Sequence, residues 1–209
     1  MPEIVLDGER FLVTLVTVLV IMDPVGNVPI FLALTRDQAE TERRRSALVA
    51  TFVAAIVIAV FAVAGERLLQ LVGISLEALQ VAGGLLLLII GYELLNPGGS
   101  SRLTTAEGDA NVALVPLGTP LLAGPGAIAA TMLATAESDS IGETLSVFAA
   151  LAVVFVVVYL AMRFASTLAR ILSPTIIDLI SRVLGLVVAA IGVQLLAGAI
   201  EVWVRDGVN

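Results

Sequence analysis

The 209-residue sequence contains no cysteine, no histidine and no lysine, and only 14% of its residues are charged. Without cysteine and histidine, disulfide bridges and the common thiolate and imidazole metal sites are excluded. Eleven arginines are outnumbered by eighteen acidic residues, and the resulting net charge of −7 excludes a nucleic-acid-binding protein. Soluble domains average about 25% charged residues, so a soluble enzyme is excluded as well.

The sequence is instead rich in long apolar runs, with 59% hydrophobic residues and a mean hydropathy of +1.07. A helix needs about 20 apolar residues to cross the hydrocarbon core of a bilayer. Six runs of that length are separated by polar or Gly/Pro-rich joints, which predicts an all-α membrane protein with six transmembrane helices. The predicted spans cover residues 11–34, 47–64, 76–95, 112–135, 145–165 and 179–203, with an extension of the second to residue 72 left open.

The arginines predict the orientation of these spans. Positively charged loops resist translocation, so the face with more arginines is expected to be cytoplasmic. We therefore predict that both termini lie outside, and that the first run, which is too long for the core of a signal peptide, stays in the membrane as a span. One face carries eight arginines (36, 43, 44, 45, 102, 163, 170 and 182) and the other carries three (10, 67 and 205).

The two halves of the chain match at a constant offset of 101 residues. Residues 84–95 (GLLLLIIGYELL) and 185–196 (GLVVAAIGVQLL) are identical at six of twelve aligned positions. The same offset aligns Pro24 with Pro125. We expect a single membrane domain over residues 1–209, made of one repeat at about 11–95 and a second at about 112–203. Because each repeat has three spans, the second enters the membrane inverted, which is the usual architecture of secondary transporters.

Spans 1 and 4 are both interrupted near their centres, by DPVGNVP at residues 23–29 and PLLAGPG at residues 120–126. Proline removes a backbone N–H and glycine permits left-handed backbone, so both spans are expected to unwind there. Unwound backbone at this depth must be buried in protein or line a cavity, and a pair of such interruptions indicates a transport site. The alternative is that the prolines kink two packed helices and that Asp23 caps a helix beginning at Pro24. The predicted substrate-binding residues are Asp23, Pro24, Gly26, Asn27, Pro29, Gly124, Pro125 and Gly126.

Asp23 is the most informative single residue, because a carboxylate at the bilayer centre costs about 2.5–3.5 kcal/mol. The sequence has no lysine or histidine, and every arginine lies near a span end. The negative charge of Asp23 can therefore be compensated in four ways: by backbone N–H groups, a proton, a bound cation or a substrate ammonium group. We predict no cofactor and no metal site apart from cation coupling at Asp23.

Two other sets of residues have structural interpretations. Gly84, Gly91, Gly185 and Gly192 recur every seven residues and predict close helix packing. The hydroxyl groups of Thr14, Thr17 and Thr119 are expected to bond back to their own helices.

The segments DPVGNVPIFL (residues 23–32) and LLAGPGAI (residues 121–128) resemble those of the MarC family of six-span inner-membrane proteins. The glycine-led third and sixth spans are similar to that family too. The resemblance implies a transporter of the SnatA type in a prokaryotic cytoplasmic membrane, which handles small neutral amino acids such as glycine and alanine.

In this hypothesis a zwitterion binds between the two breaks. Its carboxylate faces N–H groups around Gly26, Asn27, Gly124 and Gly126, and its ammonium group faces Asp23 or unwound carbonyls. A proton or sodium gradient would act through Asp23. An exporter or channel for another small polar solute and a non-transporting membrane protein are the alternatives, and the oligomeric state is left open. No enzymatic activity is expected, because one acid without a nucleophile and base does not form a catalytic site.

Overall fold

The computed structural model describes residues 6–96 and 122–206, and within them the secondary structure is helical, with no strand. The eight helices are α1 (Gly8–Met22), α2 (Asn27–Leu34), α3 (Glu40–Val72), α4 (Leu76–Leu95), α5 (Pro125–Ala136), α6 (Ile141–Arg163), α7 (Ala165–Ile171) and α8 (Pro174–Asp206).

Four of these helices are long and apolar enough to cross a membrane: Glu40–Gly65 within α3, Leu76–Leu95, Ile141–Arg163 and Pro174–Arg205 within α8. At 1.5 Å per residue, a helix of about 20 residues spans a hydrocarbon core of about 30 Å. The prediction of an all-α membrane protein is confirmed.

The helix ends differ from the predicted span ends where polar turns extend a helix beyond its apolar run. The second span was predicted at 47–64, but α3 begins at Glu40 and ends at Val72, which includes the extension to residue 72. The fifth was predicted to reach residue 165, but the chain turns at Phe164 and continues as α7. Of the fourth, residues 112–121 lie outside the described residues.

Local signals explain several of these ends. Ser75 and Ser140 precede α4 and α6, and their hydroxyl groups accept hydrogen bonds from the N–H groups of Ala78 and Glu143. This is the N-cap arrangement, which satisfies an otherwise unpaired N–H of the first turn. Gly73 closes α3 with φ of 74°, a left-handed conformation that glycine adopts without strain.

The outer faces of the helices are apolar and the interior contains small side chains. Phe52, Val63 and Val204 are 64–82% exposed, as expected for side chains that contact lipid. Ala47, Ala50 and Ala54 of α3 are buried at helical spacing. These alanines belong to the same core as Val147, Leu151, Val154 and Val158 of α6.

Helices α4 and α8 pack backbone against backbone through the four predicted glycines. A Cβ atom on Gly84 would lie 2.7 Å from the carbonyl oxygen of Gly192, and one on Gly91 would lie 2.7 Å from the carbonyl oxygen of Gly185. The prediction of close packing is confirmed. The pairing is antiparallel, and the 101-residue offset converts the Gly84–Gly192 pair into the Gly185–Gly91 pair.

The helix starts follow the same offset in part, because α3 begins at Glu40 and α6 at Ile141. The correspondence is imperfect, because α3 is one continuous helix, whereas the corresponding segment of the second half is divided at Phe164 into α6 and α7. These observations favour the predicted duplication, which otherwise stays a prediction.

Candidate functional site

The first predicted span is divided in two by a break between α1 and α2. Helix α1 ends at Met22, and Asp23 adopts left-handed backbone with φ of 35°. Its N–H closes α1 by donating to the carbonyl oxygens of Leu19 (3.1 Å) and Val20 (3.2 Å). Aspartate is among the few residues other than glycine that visit this conformation with some frequency. The predicted unwinding of span 1 is therefore observed.

The carboxylate of Asp23 also caps the turn that leads into α2. The backbone N–H of Gly26 donates to Asp23 Oδ1 (2.9 Å), and the N–H of Asn27 donates to the carbonyl oxygen of Asp23 (3.1 Å). The alternative interpretation, that Asp23 caps a helix beginning at Pro24, is met only in the capping role of the carboxylate: residues 24–26 form a turn, α2 begins at Asn27, and its N-cap residue is Gly26. Pro29 lies in the first turn of α2, where a missing N–H removes no helical hydrogen bond.

Asn27 stabilises the break from its other side. Its Nδ2 donates to the carbonyl oxygen of Met22 at 2.7 Å, which satisfies one of the carbonyls left unpaired at the end of α1. The N–H groups of Gly26 and Asn27 were predicted to face a substrate carboxylate, but in this structure both bond to Asp23. They are therefore not free for a ligand in this conformation.

The second carboxylate oxygen of Asp23 is buried without a partner. The residue is 5% exposed, and among the described residues no hydrogen-bond donor reaches Oδ2. Oδ2 is directed at Gly26, where an added Cβ atom would collide with it. The hydroxyl of Ser181 in α8 lies 2.7 Å from the same Cβ position. Gly26 thus leaves a small space between a free carboxylate oxygen and a hydroxyl group from the other half of the chain.

The second break is described from Leu122 onward. Gly124 is the N-cap of α5 and Pro125 its first residue, and in the described part of the chain no side chain caps this helix. A helix N-terminus without a side-chain cap presents N–H groups suited to a carboxylate. Pro120 and the rest of the PLLAGPG segment before Leu122 are outside the described residues.

The start of α5 lies against the end of α1. A Cβ atom on Gly126 would lie 3.6 Å from Cγ2 of Ile21, two residues before Asp23, and would collide with Leu87 of α4. The structure therefore brings the DPVGN and AGPG segments, which are about 100 residues apart in sequence, to neighbouring positions. Gly126 permits this contact because it has no side chain.

Sequence reasoning missed three residues that border the two breaks: Ile21, Leu87 and Ser181. A usable signal existed for Ser181, because the 101-residue offset aligns it with Gln80, and both are polar residues in otherwise apolar spans. The Oε1 atom of Gln80 is also buried without a hydrogen-bond partner among the described residues.

The prediction for Thr14 was wrong. Its hydroxyl is buried and, within the described ranges, makes no hydrogen bond to its own helix or elsewhere. The hydroxyl of Thr131 in α5 is in the same situation. Thr119 lies outside the described residues.

Other features of the structure lie away from the breaks. A cavity of about 200 Å³ is lined by Leu69, Gln70, Ile74, Ser75, Leu76 and Ala136, at the connection between α3 and α4. Residues 6–96 and 122–206 contain no cluster of three or more acidic side chains that could hold a metal ion.

Comparison with known proteins identifies relatives over nearly the whole chain. The UPF0056 membrane protein of Methanocaldococcus jannaschii is 34% identical over 201 residues, covering 94% of this chain and 98% of the relative. YvbG of Bacillus subtilis is 30% identical over 194 residues, covering 89% and 92%. YhcE of Escherichia coli is 30% identical over 190 residues, covering 87% of each chain. No solved structure matches the chain.

The relatives are described only as UPF0056 membrane proteins, and those descriptions name no substrate. The family description that matches, MarC family integral membrane protein, extends over residues 8–204 and so includes both breaks and, apart from Arg205, all four spanning helices. The chain is therefore a multi-pass integral membrane protein that belongs to the MarC family.

Proposed function

We propose that this protein is a secondary transporter of small neutral amino acids, of the glycine and alanine class, in a prokaryotic cytoplasmic membrane. The solute would bind between the two breaks, and a proton or sodium gradient would drive its movement. The observation that carries the proposal is Asp23, a buried carboxylate at a helix break next to the start of α5, one oxygen of which has no hydrogen-bond partner among the described residues.

A zwitterion matches the groups at the two breaks. The N–H groups at the start of α5, around Gly124 and Gly126, are the best candidates for its carboxylate, because the helix dipole places partial positive charge there. The N–H groups of Gly26 and Asn27 are not candidates in this conformation, because they already bond to Asp23. Asp23 Oδ2 is the candidate partner for the ammonium group or for a coupling ion.

Small residues at the breaks favour a small solute. Gly26 and Gly126 have no space for even one added methyl group without a collision. A bulky side chain on the solute would need that space or would have to displace Leu87. Glycine and alanine are therefore the first compounds to test.

The packing of the spans favours movement of one half against the other. The glycine pairs that join α4 to α8 are exchanged by the 101-residue offset, as expected for two inverted repeats. Alternating access in transporters of that architecture is largely a rigid rocking of one repeat against the other around a fixed site. This proposal contains no enzymatic step.

Uptake by sealed vesicles that contain the purified protein tests the proposal. With an imposed proton or sodium gradient, we expect labelled glycine or alanine to accumulate above the outside concentration and to saturate. A channel would instead bring the label only to equilibrium without saturation. Vesicles with and without protein that take up the label identically would show that the protein does not transport these solutes.

A further inference from the structure

The environment of Asp23 identifies a site that involves both halves of the chain. Asp23 belongs to the break in the first half, and Ser181 belongs to α8 in the second half. Asp23 Oδ2 and Ser181 Oγ both lie within 2.7 Å of one point, the position of an added Cβ on Gly26. Two oxygens from distant parts of the sequence thus face one small space.

The two carboxylate oxygens of Asp23 differ in their hydrogen bonding within the described residues. Oδ1 accepts a hydrogen bond from the N–H of Gly26, whereas Oδ2 has no partner in the described part of the chain. A buried carboxylate oxygen without a donor is energetically unfavourable unless a ligand or a proton compensates it. The structure therefore leaves one atom at which a positive species is needed.

Three of the backbone carbonyls of the break already accept hydrogen bonds. Those of Met22, Asp23 and Val25 accept hydrogen bonds from Asn27 Nδ2 (2.7 Å), the N–H of Asn27 (3.1 Å) and the N–H of Val28 (3.2 Å). An alkali cation at a broken helix is held by unwound carbonyl oxygens. A sodium ion would compete with these hydrogen bonds for the three carbonyls, whereas a proton needs only the Oδ2 atom of Asp23.

Among the described residues, no charged side chain pairs with Asp23. Within the described residues Asp23 forms no ion pair, and α5, which packs against α1, contains no charged residue. The charged residues on the other helices packed against α1 and α2 lie elsewhere: Glu143 pairs with Arg10, Arg163 bonds to the hydroxyl of Tyr159, Asp178 pairs with Arg182, and Arg170, Glu201 and Arg205 are exposed.

We propose that Asp23 and Ser181 form a proton-binding site shared by the two halves, and that this proton is the coupling ion. The proton, taken from water, bonds to Asp23 Oδ2, and the O–H group then donates to Ser181 Oγ. On release the Oδ2–H bond breaks and the proton returns to water on the other side. The coupling role depends on the proposed transport function, whereas the proton site itself does not.

This arrangement connects protonation to movement of the two halves. The Ser181 hydroxyl interacts with the carboxyl group of Asp23 and borders the same space, but it does not complete a hydrogen bond to Oδ2 in this conformation. When α8 closes on the break, a protonated Asp23 would gain a hydrogen bond by donating to Ser181 Oγ. An ionised Asp23 would gain one only if the Ser181 hydroxyl rotated to donate to Oδ2. Ser181 therefore acts as a positioning residue for the proton.

Infrared difference spectroscopy of the purified full chain tests the proton site without any substrate. We expect the carbonyl band of a protonated carboxylic acid to grow as the pH is lowered and to fade as it is raised, and Asp23→Asn to remove it. Ser181→Ala should shift the frequency of this band and Ser181→Thr should keep it. Thr175→Ala, which removes an exposed hydroxyl from the same helix, is the matched control and should leave it unchanged.

Uptake of labelled glycine tests the coupling. A proton gradient alone should drive accumulation, replacement of sodium should have no effect, and Ser181→Ala should reduce gradient-driven accumulation by about tenfold, as expected for the loss of one buried hydrogen bond. Ser181→Thr should restore it.

The outcomes separate the two proposals. A titrating band that depends on Asp23, without any glycine accumulation, would support the proton site and contradict the transport function. Accumulation that requires sodium, together with an infrared spectrum that Asp23→Asn leaves unchanged, would overturn the proton site and leave the transport function standing. A band that Ser181→Ala does not move would remove Ser181 from the site.

Discussion

At the scale of single residues, the two oxygens of Asp23 have different roles. Oδ1 holds the turn of the break by accepting from Gly26, and Oδ2 is buried without a partner among the described residues. The sequence left open whether Asp23 is a helix cap or part of a binding site. The structure shows the cap at one oxygen, and our proposals concern the other.

Substitutions of Asp23 should separate these two roles. Asp23→Asn keeps a side-chain oxygen that can accept from the N–H of Gly26, and asparagine also tolerates left-handed backbone. We expect the free energy of unfolding to change by less than about 0.5 kcal/mol in Asp23→Asn and to fall by about 1–2 kcal/mol in Asp23→Ala. Denaturant titration of the purified variants in detergent measures both. Equal losses in the two variants would show that the cap does not stabilise the break.

Glycine substitutions should have opposite effects at two positions. In Gly26→Ala the new Cβ collides with Asp23 Oδ2, so we expect a loss of about 1–3 kcal/mol in the free energy of unfolding. In Gly198→Ala, within α8, nothing lies within 4 Å of the new Cβ, and the higher helix propensity of alanine should stabilise the protein by about 0.5–1 kcal/mol. Thermal unfolding of both variants beside the wild type measures the difference, and a stabilised Gly26→Ala would be incompatible with the described break.

The residue scale also shows what sequence alone can predict of the site. The DPVGNVP pattern predicted the break because proline, glycine and an Asx residue act locally on the backbone. Ser181 was not predicted, because its position beside Asp23 depends on how α8 packs against the break. The hydrogen bonds from the N–H groups of Gly26 and Asn27 to Asp23 were missed for a different reason. The spacing of these residues in the sequence does not show whether their N–H groups bond to Asp23 or face a ligand.

At the scale of helices, hydropathy located four spanning helices but not their ends. Helices α3 and α8 extend beyond their apolar runs, because polar residues such as Glu40 and Arg205 can continue a helix outside the hydrocarbon. The division at Phe164 is not marked by any glycine or proline in the adjoining sequence. The glycine spacing in α4 and α8, in contrast, predicted their contact correctly, because only residues without a side chain allow backbones to approach so closely.

The contact between α4 and α8 leads to a prediction at this scale. A Cβ on Gly91 meets the backbone carbonyl oxygen of Gly185, which cannot move independently of its helix, whereas one on Gly65 of α3 meets only the flexible side chain of Met132. Gly91→Ala should therefore lower the free energy of unfolding by about 1–3 kcal/mol, and Gly65→Ala by clearly less.

The same denaturant titration compares the two variants. Monodisperse elution during gel filtration is the control that each variant is folded. If Gly65→Ala were the more damaging of the two, the backbone contact between α4 and α8 would not be the tighter one.

At the scale of the whole molecule, arginine distribution predicts that both termini are outside. The absence of native cysteine makes this prediction easy to test, because a single introduced cysteine gives no background labelling. Arg45→Cys, on the predicted cytoplasmic side of α3, should react with a membrane-impermeant maleimide only in inside-out vesicles. Asp139→Cys, in the exposed connection between α5 and α6, should react in intact cells. The reverse pattern would invert the assigned orientation.

The central claim is that one break from each half contributes to a single binding site for a small zwitterion. Equilibrium binding of labelled glycine or alanine to the purified protein tests it most directly, with Asn27→Ala altering the first break and Gly126→Ala the second. We predict saturable binding by the wild type and by the control Gly198→Ala, and at least about a tenfold loss of affinity in each break variant. Saturable binding that both break variants retain at wild-type affinity would contradict the claim.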